Sequence, residues 1–262
     1  MNQSPIGIFD SGVGGTSIWK ELQQLLPSED MIYMADSLNA PYGGKSQETI
    51  INLSKKNTEY LLSRGCKLIV VACNTATTNA IDYLRRHFDV PFIGIEPAIK
   101  PAALRSATKK VGVLATKGTL ASQLFLSTSK THAMDIEVLE QQGEGLVALI
   151  EAGKTDTDEI RRLLEIYLNP MVEAKIDHLV LGCTHYPYLI PVLEEILPPG
   201  IRIIDCGEAV ARQTYRVLKE SNLLNNADHK GKHLFYINSD KTVLENFLSD
   251  SSTQLQIHEK DF

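Results

Sequence analysis

The chain has 262 residues, of which 43% are hydrophobic and 22% are charged, and it carries a formal net charge of −6. This length fits one large domain or two small ones, and this composition is typical of a folded globular protein. The acidic balance disfavours nucleic acid as a partner, and because no run of about 18 apolar residues occurs, we expect no membrane span. No basic leader opens the chain, so we expect a cytoplasmic protein.

Short apolar runs alternate with amphipathic patterns along the chain. Runs this short and this rich in Val and Ile are typical of buried parallel strands, and the alternation with helices predicts an α/β fold with doubly wound parallel sheets. In chain order the predicted strands are Ile6–Phe9, Met31–Ala35, Leu68–Ala72, Phe92–Ile95, Val111–Ala115, Ile136–Leu139, Leu179–Leu181 and Ile201–Ile204. The clearest predicted helices are Gln47–Ser63, Thr157–Ala174 and Leu189–Leu197.

The eight predicted strands form two sets of four with similar spacing. Strands that start at 6, 31, 68 and 92 are followed by strands that start at 111, 136, 179 and 201, at offsets of 105, 105, 111 and 109 residues. The third strand of each set leads into a similar segment, LIVVACNTATT in the first and LVLGCTHYPYL in the second. Any doubly wound protein can repeat its strand spacing, but the paired cysteine segments favour two similar α/β halves that face each other.

A tail follows from about Gly207. It contains a helical pattern over Glu208–Glu220, a strand-like run over His233–Ile237 and a short helix over Lys241–Leu248. We expect this tail to pack back on the first half. The predicted first domain therefore comprises residues 1–97 and 208–262, and the predicted second domain comprises residues 98–207.

The chain has four cysteines, Cys66, Cys73, Cys183 and Cys206, without the C-x-x-C spacing of a zinc site. In a reducing compartment disulfides are not expected. Cys73 and Cys183 each follow a predicted strand, where parallel sheets form their sites and where a helix N-terminus stabilises a thiolate. A single buried cysteine is more often structural, but two at matching positions predict one thiol on each side of the cleft.

This pair of thiols suits one reaction. Racemisation needs a base on one face of Cα and an acid on the other, and the two roles exchange with direction. Two similar groups related by approximate symmetry meet this need. The cysteines therefore predict an amino-acid racemase.

A glycine-rich turn, Asp10-Ser11-Gly12-Val13-Gly14-Gly15, follows the first predicted strand. Its glycines allow backbone N–H groups to approach an anionic group, although a tight turn alone would also explain them. The spacing does not match a dinucleotide-binding fingerprint or a P-loop. Asp10 could orient or activate Cys73, or bind a substrate ammonium group.

Further candidates lie near the same edge of the sheets. Tyr42 and the N–H of Gly43 are possible substrate contacts in the turn after the second strand. His185, two residues after Cys183, is a possible partner for that thiol. Glu151 ends a helical pattern, and a surface charge is the simpler explanation for it. Of the other two cysteines, Cys66 and Cys206, the first is expected in the core and the second has no counterpart thiol.

Six motifs together carry a resemblance to a known family. The segments FDSGVGG, NAPYGGKS, ACNTATT, GIEPAIKPA, GCTHYPYL and CGEAVARQT resemble the glutamate racemases of bacterial cell-wall synthesis, which supply D-glutamate for peptidoglycan. The match runs from Pro5 to about Thr214.

The resemblance implies interconversion of L- and D-glutamate in a cleft between two α/β domains, without pyridoxal phosphate or metal, by a homodimer. It implies that Cys73 and Cys183 are the proton donors and acceptors, that Asp10 assists Cys73, and that His185 and, by position, Glu151 assist Cys183. The implied substrate contacts are Asp10, Ser11, Tyr42, Gly43, Asn74, Thr75, Thr184 and His185. Two positions depart from the family pattern: Gly143-Glu144-Gly145 stands where many members have Cys-Pro, and Cys206 stands where Ser is usual.

Three alternatives stay open at this point. A related racemase or isomerase could act on aspartate, a hydantoin or a small dicarboxylate. A non-catalytic binding protein could also consist of two α/β lobes, although binding alone does not need two thiols. A thiol hydrolase could use Cys183 and His185, but it would leave Cys73 without a role.

Overall fold

The computed structural model describes residues 3–132, 135–225, 230–249 and 255–262, and it confirms an α/β fold in which every predicted strand is present. In chain order its helices and strands are β1 (Ile6–Asp10), α1 (Thr16–Leu25), β2 (Met31–Ala35), α2 (Gln47–Ser63), β3 (Leu68–Val71), α3 (Asn74–His87), β4 (Phe92–Gly94), α4 (Ile99–Arg105), β5 (Lys110–Ala115), α5 (Lys117–Leu120), α6 (Gln123–His132), β6 (Glu137–Gln142), α7 (Leu146–Glu151), α8 (Asp158–Glu173), β7 (His178–Gly182), α9 (Ile190–Ile196), β8 (Arg202–Ile204), α10 (Gly207–Glu220), β9 (His233–Ile237), α11 (Lys241–Leu248) and β10 (Leu255–Glu259). Short 3-10 turns occupy Ser37–Asn39, Tyr42–Gly44 and Tyr186–Leu189.

Within the described residues, the strands form two sheets in which the paired strands run parallel. The order is β10-β9-β2-β1-β3-β4 in the first sheet and β6-β5-β7-β8 in the second. The stretch β2-β1-β3-β4 and the whole second sheet therefore share one strand order, as the repeated spacing predicts. We call the unit around the first sheet the first domain and the unit around the second sheet the second domain. The boundaries near residues 97 and 207 stay predictions.

The tail packs on the first domain, as predicted. Strand β9 extends the first sheet beside β2, with Met31 opposite His233, and helix α10 packs against α1. Trp19 of α1 meets Phe235 of β9 edge-to-face, with 5.0 Å between the ring centroids. The sequence analysis missed β10, which pairs with β9 at the edge of the sheet. Its residues are half-buried or exposed, so its hydrophobic pattern is weak.

The two sheets bring the candidate residues to the ends of their central strands. All five residues of β1 are buried, as expected for a parallel strand covered on both faces. Cys73 comes just after β3, which pairs with β1, and Cys183 directly follows β7, which pairs with β5. All four cysteines are buried free thiols. Across the described residues, no helix combines the length and the apolar character that a membrane span requires.

Candidate active site

Cys73 is the N-cap residue of α3. Its Sγ accepts a hydrogen bond from the N–H of Ala76 at 3.4 Å, and its thiol donates to the hydroxyl of Ser11 at 3.6 Å. Burial and the nearby carboxylate of Asp10 raise the pKa of the thiol well above 9.0, and the contacts with Ala76 and Ser11 do not offset them. The helix N-terminus does favour a Cys73 thiolate, as the sequence predicts, because the N–H of Ala76 lowers the pKa, but burial and Asp10 outweigh it and favour the thiol.

Asp10, the last residue of β1, lies beside Cys73. One carboxylate oxygen accepts a hydrogen bond from the N–H of Gly15 at 2.8 Å, and the other accepts from the hydroxyl of Thr184 at 3.4 Å. Burial raises the pKa of Asp10 from 3.8 to about 6, although the charge of His185 lowers it. Because Thr184 belongs to the second domain, this carboxylate connects the two domains.

A chain of three side chains supports the second thiol. Cys183 Sγ lies 3.7 Å from Nδ1 of His185, and Nε2 of His185 lies 2.5 Å from a carboxylate oxygen of Glu151. Burial disfavours the imidazolium, but the hydrogen bonds to Cys183 and Glu151 outweigh burial and raise the pKa of His185 well above 6.5. The sequence favoured a surface charge at Glu151, whereas the fold places this carboxylate behind His185 with a side chain only 14% exposed.

The glycine-rich turn of the first domain makes room for this chain. A Cβ added at Gly12 would overlap the carboxylate of Glu151, and a Cβ added at Gly14 would overlap the ring of His185. The N–H of Val13, between them, donates to Glu151 Oε1 at 2.7 Å. The turn does present a backbone N–H group to an anion, as predicted, but the anion is a carboxylate of the protein's own second domain.

One cavity collects most of the predicted contact residues. It is lined by Ser11, Pro41, Tyr42, Gly43, Cys73, Asn74, Thr75, Thr116, Val147, Cys183, Thr184 and His185. Its volume is about 10 Å³, roughly the space for a single water molecule. An amino acid therefore needs more room than this arrangement of the side chains provides. Asp10 and Glu151 are not among the lining residues and lie behind them.

Two lining side chains differ in what they offer a ligand. Asn74 is buried, and neither its amide oxygen nor its amide nitrogen has a hydrogen-bond partner among the described residues. Because an unpaired buried amide is costly, Asn74 is well placed to bind a polar group in the cavity. The hydroxyl of Tyr42, in contrast, donates to Asp36 at 2.5 Å and accepts from Asn57 at 3.3 Å. Tyr42 therefore lines the cavity with a hydroxyl that is already engaged.

Sequence reasoning missed Thr116, which lines the same cavity. Its hydroxyl lies 2.7 Å from that of Thr75 and 3.0 Å from that of Thr119, so hydroxyls from both domains meet there. The strand repeat could have identified this residue. Thr116 directly follows β5 and Ser11 directly follows β1, and the two are 105 residues apart, the same offset as between the starts of the first strands of the two sets.

Comparisons with known proteins identify the family and the relatives of this chain. A model of the Asp/Glu/Hydantoin racemase family matches residues 10–214. A glutamate racemase of Herpetosiphon aurantiacus is 49% identical over 231 residues, which cover 88% of this chain and 91% of that protein. A glutamate racemase isoform of Bacillus anthracis superimposes with a TM-score of 0.88 at 29% identity, covering 100% of this chain and 98% of the other. The Escherichia coli glutamate racemase in complex with L-glutamate and the activator UDP-MurNAc-ala gives a TM-score of 0.86 at 33% identity, covering 98% of both chains.

The fold is thus shared with a class of isomerases, the amino-acid racemases. The chain belongs to the Asp/Glu/Hydantoin racemase family. This assignment excludes the simple binding protein that the two-lobed fold alone left open.

The close approach of the glycine turn is open to a direct test. We expect Gly14→Ala to lower racemase activity about 10- to 100-fold, because overpacking of this kind costs on the order of 1–3 kcal/mol and would push His185 away from Cys183. Gly44→Ala is the matched control, since a Cβ there meets no atom within 4 Å, and it should change the rate by less than about twofold. Equal rates for the two variants would contradict the steric argument.

Proposed function

We propose that this protein interconverts L- and D-glutamate without a cofactor, by proton transfer between Cα and the two thiols Cys73 and Cys183, and so supplies D-glutamate for peptidoglycan synthesis. The observation that carries the proposal is the shared cavity, to which each domain contributes one buried cysteine. The relatives support the choice of substrate, since those 44% to 49% identical to this chain are glutamate racemases. The implied homodimer and the cytoplasmic location stay predictions.

The two thiols would exchange roles with the direction of the reaction. In one direction Cys183, as a thiolate beside the His185 imidazolium, removes the Cα proton, and the Cys73 thiol delivers its own proton to the opposite face. In the other direction Cys73 must lose its proton first, and the Asp10 carboxylate is the adjacent group that can accept it. Each half therefore combines one thiol with its own acid–base partner, Asp10 for Cys73 and His185 for Cys183.

Neutral donors would hold the two carboxylates of glutamate. None of the described residues that line the cavity is Lys or Arg. The candidate donors are the amide of Asn74 and the hydroxyl of Ser11, together with the hydroxyls of Thr75, Thr116 and Thr184 once these leave their present hydrogen-bond partners. Fixed donors of this kind stabilise the negative charge that develops when Cα loses its proton, and the narrow cavity keeps bulk water from competing for that proton.

The proposal predicts isotope exchange together with loss of optical activity. Purified, reduced protein is incubated with L-glutamate in D2O without pyridoxal phosphate and followed by proton NMR and circular dichroism. We expect the Cα proton signal to disappear and the ellipticity to decay to zero, because proton return on the opposite face inverts the centre. A folded protein with reduced thiols that changes neither signal would refute glutamate as the substrate, and aspartate and hydantoins would then be tried.

A second prediction concerns Asp10. Since only the ionised carboxylate can accept a proton from Cys73, and since the pKa of Asp10 is about 6, we expect kcat/KM to fall as the pH drops below about 6. The profile of kcat/KM reports groups of the free enzyme, so Asp10→Asn should be slower throughout and should lose this acidic limb. An unchanged acidic limb in Asp10→Asn would assign it to another group.

A further inference from the structure

The carboxylate of Glu151 is held from across the cleft. Glu151 ends α7 in the second domain, but two of its hydrogen-bond donors belong to the first domain. The N–H of Val13 donates to Oε1 at 2.7 Å, and the hydroxyl of Ser37 donates to Oε2 at 2.9 Å. Oε1 is also the atom that faces His185. Both oxygens of Glu151 are thus held by the first domain, while His185, which Glu151 supports, belongs to the second domain.

Ser37 is itself held firmly by the first domain. It begins the 3-10 turn that follows β2. In this turn the N–H of Leu38 donates to the side-chain oxygen of Asn238 at 3.0 Å, and the side-chain nitrogen of Asn238 donates to Asp36 at 2.6 Å. Asn238 directly follows β9. The turn is therefore anchored to the ends of two neighbouring strands, and it presents the Ser37 hydroxyl in a fixed place.

We infer that Ser37 is a positioning residue for the Cys183 half of the site, acting through Glu151 and then His185. Val13 and His185 both contact Oε1, whereas Ser37 is the described donor to Oε2, and the terminal torsion of a carboxylate is soft. A second donor on Oε2 fixes the plane of the carboxylate and hence the direction of its bond to His185. The hydroxyl of Ser37 has no described hydrogen bond to Cys73 or Asp10, so its direct contact is with the Cys183 half, and only the charges of Glu151 and His185 reach Asp10.

The inference rests on the proposed function, and isotope effects test it. Ser37→Ala should lower kcat/KM about tenfold, which is the scale of one hydrogen bond to a charged group. The factor should be the same for both enantiomers, because the equilibrium constant between L- and D-glutamate is one and fixes the ratio of the two kcat/KM values. The substrate isotope effect of Cα-deuterated glutamate should rise for the enantiomer that gives its proton to Cys183, since that transfer becomes rate-limiting. The isotope effect should fall for the other enantiomer, because Cys73 removes its Cα proton before the slow delivery of a proton by Cys183.

Three further variants complete the experiment. Ser37→Thr retains a hydroxyl and should restore most of the activity. Ser63→Ala removes an exposed hydroxyl whose bond is to Tyr60 in the same helix, and it should match the wild type. In a Glu151→Ala background, Ser37→Ala should cause no further loss of activity, because the effects of two substitutions that remove the same contact do not add.

The outcomes separate the two proposals. A wild-type enzyme that fails to racemise glutamate overturns the proposed function and this inference with it. A wild type that racemises glutamate, with isotope effects in Ser37→Ala that are unchanged or that move together for both enantiomers, overturns the role of Ser37 alone. Equal losses from Ser37→Ala in the wild-type and Glu151→Ala backgrounds would do the same.

Discussion

A racemase must reach both faces of one carbon atom, and this requirement explains why the site needs two sheets. The carboxyl ends of parallel strands lie along one edge of a sheet, so a single sheet can approach a substrate from one side only. Here Cys73 comes just after β3 of the first sheet and Cys183 follows β7 of the second, and both thiols line one cavity. The shared order of the strands gives each domain a thiol at the same topological position.

The two halves share a fold but not their supporting chemistry. Cys73 is backed by Asp10, a buried carboxylate with a pKa of about 6, and its own pKa is raised because burial and that carboxylate both disfavour the thiolate. Cys183 is backed by His185, whose imidazolium is favoured by the Cys183 and Glu151 contacts. One half therefore places a negative charge near its thiol and the other a positive charge. The two domains thus share a fold but give their thiols acid–base partners of opposite charge.

Contacts between the domains connect these two halves. Glu151 meets Val13 and Ser37 of the first domain, and Asp10 meets Thr184 of the second. The glycines at 12 and 14 allow this approach, since side chains there would overlap Glu151 and His185. The contacts of Glu151 and Asp10 across the cleft therefore depend on how closely the two domains approach each other.

The sequence predicted the features that depend on local pattern, namely the strands, the paired cysteines and the candidate contacts at the strand ends. It could not predict features that arise from tertiary contact. Ser37 stands in an ordinary polar turn, and its bond to Glu151 spans 114 positions of the chain. The pKa of Cys73 depends mainly on its burial and on Asp10, which outweigh the N–H of Ala76 that the sequence predicted at the helix N-terminus. Thr116 could have been predicted as a site residue, because the strand repeat that matches the two cysteines also matches Thr116 with Ser11.

The most direct test of two-thiol catalysis follows Cα exchange of L- and D-glutamate separately in D2O, with Cys73→Ala and Cys183→Ala. Cys66→Ala is the matched control, since it removes a buried thiol that does not line the cavity. We expect neither active-site variant to racemise glutamate, and each to incorporate deuterium into a different enantiomer only, because each keeps the base for one face. Racemisation by either variant, or exchange of the same enantiomer by both, would contradict the assignment of one thiol to each face.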